Sequence, residues 1–145
     1  MNDLQFTVTN NIARITLNRP EQMNAFSEDM IHSWIKALEE VRDSDEIHVL
    51  VISGNGRAFC SGGDIKAMAR GDGFLNHDGS NDYSSTALAR KNSLWKNVQR
   101  IPLLLQEIDI PVIAMLHGAA FGAGFDMALA CDIRIAAKST KIAES

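Results

Sequence analysis

Ala58-Phe59-Cys60-Ser61-Gly62-Gly63-Asp64-Ile65-Lys66 follows closely on Val49-Leu50-Val51-Ile52 and its terminator Gly54-Asn55-Gly56. The apolar run is continuous and largely β-branched, the pattern of a strand buried on both faces. The glycines beyond it let the backbone turn tightly, and N–H groups at a helix start remain free to donate. The same order returns downstream. Pro111 ends a helical stretch and Val112 to Leu116 reads as the next buried strand. Gly118 to Gly124 then forms a glycine-rich turn, Phe125 to Ala130 a short helix, and Asp132 to Ala136 another strand. Strands alternating with helices predict an α/β architecture with parallel pairing.

Toward the N-terminus, Leu4, Phe6 and Val8 alternate with polar residues, as do Ala13, Ile15 and Leu17. With Asn10-Asn11 between them, this is a β-hairpin with one buried face. Asn18-Arg19-Pro20 breaks the alternation. Ser27 is placed to cap a helix, with Glu28 and Asp29 where the dipole favours negative charge. Met30, Ile31, Trp34, Ile35, Leu38 and Val41 recur at helical spacing, so one stripe packs inward. From Gly71 to Tyr83 the composition shifts to Gly, Asp, Asn and Ser, a surface loop. A helix is expected from about Ser85 to Gln99, burying Leu88, Leu94, Trp95 and Val98, with Pro102 interrupting or restarting it at a first-turn position.

The 145 residues suffice for one domain with a real core. At 46% hydrophobic and 22% charged, the composition is that of a globular protein. A formal charge of −4 supplies no basic surface for nucleic acid. Cys60 and Cys131 are too few and too far apart for a disulfide scaffold or a metal site, and fit a reducing compartment. The four histidines have no mutual ligand spacing, so no metal is expected. Neither a leader nor a membrane span shows in the pattern, and a cytoplasmic location is the expectation.

Two glycine turns, each between a buried strand and a helix, have a chemical use. If they face each other, their backbone N–H groups offer two donors to one oxygen, as a thioester carbonyl becoming an enolate requires. Gly118, Gly122 and Gly124 lack the dinucleotide spacing, and neither turn has the phosphate-loop Gly-Lys-Ser/Thr. Each turn taken alone is equally a tight connection, and generic glycine chemistry stops there.

The words around the glycines are more specific. Asn18-Arg19-Pro20, Met23-Asn24-Ala25-Phe26, Phe59 to Lys66, Pro111-Val112-Ile113-Ala114, Gly118 to Asp126 and Cys131-Asp132 resemble, in order and spacing, the enoyl-CoA hydratase/isomerase (crotonase) family. The resemblance covers essentially the whole chain. It implies a crotonase-like (ClpP/crotonase) α/β spiral of β-β-α units, with residues 1–145 as its N-terminal, acyl-CoA-binding portion. It implies an enzyme acting on acyl-CoA thioesters by hydration or double-bond isomerisation, with coenzyme A arriving as part of the substrate and no separate cofactor. It further implies a homotrimer or a dimer of trimers at full length. The oxyanion donors would be Gly63 and Ala123, the latter where many relatives have glycine. Ala25, Ala58, Gly62, Asp64, Ile65, Lys66 and Gly122 would line the acyl-CoA site, largely through backbone atoms. Lys66 reads equally as a solvated lysine at a helix start.

Asp126 stands where hydratases of the family carry their first catalytic glutamate, and dienoyl-CoA isomerases resemble this chain in having aspartate there. Its other reading is a first-turn acid stabilised by the helix dipole. The family's second glutamate would fall at position 146, and Glu144 lies two places early. The rival to the enzyme is therefore a truncated, non-catalytic acyl-CoA-binding or assembly remnant. His117 sits at the edge of a glycine turn, His32 reads as lying on the solvent side of its helix, and His48 and His77 as lying near turns.

Overall fold

A computed structural model describes residues 2–70, 91 and 97–144. The Gly71–Tyr83 loop and nearly all of the Ser85–Gln99 helix expected from sequence lie outside those residues. The chain begins with a hairpin, β1 (Leu4–Thr9) and β2 (Ile12–Leu17), paired antiparallel from Leu4↔Leu17 to Thr9↔Ile12. Asn10 and Asn11 both take positive φ, as a two-residue primed turn requires. A single 3-10 turn over Pro20–Gln22 leads to α1 (Glu28–Asp43). Ser27 caps α1 by accepting from the Met30 N–H at 3.1 Å, and its own hydroxyl donates to Asp3. The inward stripe holds: Met30, Ile31, Trp34, Leu38 and Val41 are buried, with Ile35 half-buried.

After α1 comes β3 (Val49–Gly54), then α2 (Ile65–Arg70), α3 (Arg100–Glu107), β4 (Val112–Leu116), β5 (Ala119–Phe121), α4 (Ala123–Leu129), β6 (Ile133–Ala136) and β7 (Lys141–Ala143). Pro102 sits in the first turn of α3, where its missing N–H costs no helical bond. The main sheet runs β1-β2-β3-β4-β6, parallel from β2 onward. One face carries Leu50, Ile52, Val112, Ala114 and Leu116, all buried in a core shared with α1 and α3. Each fully buried side chain of that size contributes about 1.5–3 kcal/mol.

The opposite face differs from the expectation of strands buried on both sides. Val51, Ile113 and Ile133 form one cross-strand row, and Met115 pairs with Ile135 in the next. Val51 and Ile113 are half-buried, whereas Met115, Ile133 and Ile135 are about half exposed, at 48, 48 and 57%. Apolar character thus continues to the β6 edge although cover does not.

The expected glycine turn from Gly118 to Gly124 is also more structured than the sequence showed. It contains β5, which pairs with β7 in a second sheet of two strands and bridges to Cys60. Helix α4 accordingly starts at Ala123, two residues earlier than the apolar pattern indicated. Among the described residues, no helix is long and apolar enough to cross a membrane, and no cluster of His, Cys, Asp or Glu could hold a metal ion.

Candidate active site

Three separated segments meet at one end of the sheet: 19–26, 57–66 and 117–126. The strand register brings them together. Leu17 pairs with Gly54, so the chain leaves β2 and β3 side by side. The Phe59 N–H then bonds the His117 carbonyl at 2.8 Å, Cys60 N–H bonds Ala119 O at 3.1 Å, and Phe121 N–H bonds Cys60 O at 3.0 Å. The two glycine turns are therefore laced together by short parallel pairing.

Their contact is close. A Cβ placed on Gly62 would lie 3.0 Å from the Phe121 carbonyl oxygen and 3.5 Å from the Ala123 nitrogen. Gly62 also has φ of +92°, a conformation that only glycine adopts freely. On either side of this contact are the two N–H groups singled out in the sequence. Ala123 is the first residue of α4 and has no intrahelical acceptor. Neither its N–H nor that of Gly63 meets an acceptor among the described residues. The Gly122 N–H is instead occupied by the Ala143 carbonyl of β7, at 2.9 Å.

A cavity of about 590 Å³ opens beside these turns. Ala25, Gly63, Asp64, Ile65 and Lys66 line it. Ile65 exposes 78% of its surface there, an apolar wall without a covering residue among those described. Ala58 and Gly62 lie buried behind the wall, while Gly122, Ala123 and Asp126 belong to the adjoining turn and lie outside the lining. Asp126, one turn into α4, has an exposed carboxylate.

Sequence reasoning missed two residues that hold this end together. Asn24 is fully buried, with positive φ. Its Nδ2 donates to the carbonyls of Asn55, Ala58 and Phe59 at 2.9, 2.9 and 3.1 Å, and its Oδ1 accepts from the Arg19 N–H at 2.8 Å. Arg19 is the other. Its guanidinium pairs with Asp64 at 3.2 Å and Asp3 at 3.4 Å, and donates to Ala25 O at 2.6 Å. The available signal was their place in the Asn18-Arg19-Pro20 and Met23-Asn24-Ala25-Phe26 words, where a polar residue among turn and apolar positions needs a partner.

The remaining candidates resolve more simply. Cys60 and Cys131 are free and buried, and burial pushes each thiol up to about 12. The Cys60 thiol donates to Asn24 O at 3.1 Å and receives the Gly62 N–H at 3.5 Å. One His117 ring nitrogen is paired with Gly56 O at 2.8 Å. His32 and His48 are exposed, and Trp34 is core.

A largely parallel α/β sheet that delivers two glycine turns to one cavity defines a crotonase-type fold, which the solved structures share. One of an enoyl-CoA hydratase/isomerase from Mycobacterium abscessus superposes with a TM-score of 0.81 at 26% identity, over 96% of this chain and 50% of that one. An enoyl-CoA hydratase structure from Streptomyces coelicolor A3(2) gives 0.79 at 32% identity, over 97% and 47%. In sequence, the Bacillus subtilis (strain 168) protein YngF, described as an enoyl-CoA hydratase/isomerase, is 36% identical over 136 residues, 92% of this chain and 46% of its own. The family model for enoyl-CoA hydratase/isomerase matches residues 7–145, and the chain belongs to that family. It spans about half the length of these relatives.

Proposed function

We propose that residues 1–145 form an acyl-CoA-binding core and carry the oxyanion site of an enoyl-CoA hydratase/isomerase-type enzyme. The reaction is hydration or double-bond isomerisation through an oxyanion-stabilised enolate. The observation that carries this reading is the pair of N–H groups, Gly63 and Ala123, that meet no acceptor among the described residues and sit on turns that touch at Gly62. Donors fixed in place before reaction stabilise a developing oxyanion without reorganising. A thioester oxygen between them leaves the acyl chain toward α4, where Asp126 moves the proton at the polarised carbon. Coenzyme A enters as part of the substrate. Its pantetheine follows the backbone of Ala25, Ala58, Gly62, Asp64 and Ile65, with Gly122 closing the far side. Lys66 and Arg57, both on the cavity wall, face its phosphates.

Two substitutions test the reading. Gly63→Pro removes one donor, which costs about 3 kcal/mol in the transition state, while circular dichroism remains that of the parent. Asp126→Asn preserves shape and lowers turnover by about 10²–10⁴, with acyl-CoA affinity little changed. Turnover within a few-fold of the parent in Gly63→Pro removes Gly63 as a donor. Unchanged turnover in Asp126→Asn leaves that residue as a helix-start charge. The rival reading is a non-catalytic acyl-CoA-binding protein, whose cavity would hold acyl-CoA without turnover. In that case acyl-CoA binds and neither substitution alters any turnover.

A further inference from the structure

Two peptide units connect Arg19 to the Gly63 N–H. Arg19 Nη1 donates to the Ala25 carbonyl at 2.6 Å. That carbonyl shares a rigid plane with the Phe26 N–H, which donates to the Gly62 carbonyl at 2.8 Å. The Gly62 carbonyl in turn shares its plane with the Gly63 N–H. A trans peptide points its N–H opposite to its carbonyl, so the bond from Phe26 to Gly62 fixes the direction in which Gly63 donates. The structure holds no cis peptide bond among the described residues. The route is therefore guanidinium, peptide 25–26, peptide 62–63, and then whatever oxygen Gly63 meets.

We infer that Arg19 is a positioning residue whose cation orients and strengthens the Gly63 donor through this two-peptide relay. The inference rests on the reading of Gly63 as an oxyanion donor. A cation bound to the first carbonyl polarises its amide, and each hydrogen bond in a chain strengthens the next, more so where water is scarce. The guanidinium is well placed for this. Its side chain is only 16% exposed, and that of Asp64 14%. Its backbone is clamped on both sides, donating to Asn24 Oδ1 at 2.8 Å and accepting from the Asn24 N–H at 2.9 Å. Asp64 and Asp3 hold the other edges of the fork, so Nη1 keeps its aim at Ala25. Lysine has the charge but not the fork, and cannot serve the three oxygens in this fixed geometry.

The test reads the donor directly, through the carbonyl stretching frequency of a saturated acyl-CoA thioester bound to the full chain. In the parent, bonding to Gly63 lowers that frequency. The downshift shrinks in the order parent, Arg19→Lys, Arg19→Gln, and kcat falls roughly three- to ten-fold in Arg19→Gln with KM little changed. Arg19→Lys, which retains the charge, lies between, and decides the matter if Arg19→Gln loses its fold by circular dichroism. A parental frequency and kcat in Arg19→Lys overturn the inference. So does a raised KM at unchanged kcat and frequency in either variant, which would make Arg19 a direct contact to substrate. Gly63→Pro is the reference. If it leaves the carbonyl frequency at the parental value, the donor assignment itself fails. If it shrinks the downshift while both Arg19 variants keep the parental value, only the relay fails.

Discussion

Substitution of Gly124 by alanine is the sharpest perturbation of the junction between the two turns. A Cβ at this position would lie 2.6 Å from the Cys60 carbonyl oxygen, 2.6 Å from Cys60 Cβ and 2.7 Å from its Sγ. Ordinary contact begins at 3.4 Å, so α4 and the segment at Cys60 must part by about 0.8 Å. The carbonyl cannot yield by rotating, because it accepts the Phe121 N–H at 3.0 Å. Overpacking of this kind costs roughly 1–3 kcal/mol of stability. Ala123 moves with the helix, and under the proposed oxyanion role a displacement close to an ångström lowers turnover by about 10²-fold. Denaturant unfolding checks the first figure and steady-state kinetics the second. Adding Cys60→Ala removes the sulfur contact but neither the carbonyl nor the Cβ, so the double variant recovers little. Gly124→Ala with parental stability and turnover would refute the claim that α4 abuts Cys60, and with it the facing of the two turns.

Two further outcomes are expected. The Cys60 and Cys131 thiols are raised from 9.0 to about 12 by burial, so the native state holds their protons more tightly than the unfolded chain. That stability is fully present below about pH 9 and is lost as pH rises toward 12, on the order of a few kcal/mol. The denaturation midpoint should fall across that window, and Cys60→Ser should flatten part of the fall; a flat parental profile refutes it. Separately, residues 1–145 by themselves present Met115, Ile133 and Ile135 beside β6, which has no further strand on its outer edge among the described residues, and should self-associate and bind the dye ANS. A monodisperse monomer without dye binding would show that this face is satisfied.

Local patterns were legible in the sequence wherever one face dictates them. Alternation around Asn10-Asn11 gave the hairpin, and Ser27 with the spacing from Met30 to Val41 gave α1. Of the residues named from the family words, Ala25, Gly63, Asp64, Ile65 and Lys66 border the cavity, whereas Ala58 and Gly62 lie behind it. β5 was not legible, because Ala-Ala-Phe between glycines carries no strand pattern, and its partners, Cys60 and β7, are distant in sequence. Asn24 and Arg19 escaped for the same reason. Their importance lies in carbonyls more than thirty residues away, or in peptide planes that only the tertiary fold aligns. The uneven cover of the sheet was equally hidden, since a β-branched run looks alike whether its second face is covered or open.

The hub at Asn24 also bears on chemical ageing. Asparagine deamidates when the next residue's backbone nitrogen attacks the side-chain amide. Here that nitrogen, Ala25 N, is bonded to Gln22 O at 3.0 Å, and the amide is pinned to three carbonyls. The folded protein therefore shields a group whose loss would be costly, because an aspartate in its place would set a carboxylate against those same carbonyl oxygens. An unfolded chain has no such shield. Molecules that spend time unfolded at warm, mildly alkaline pH accumulate a lesion that bars their return, so reversible denaturation gradually becomes permanent, one side chain at a time.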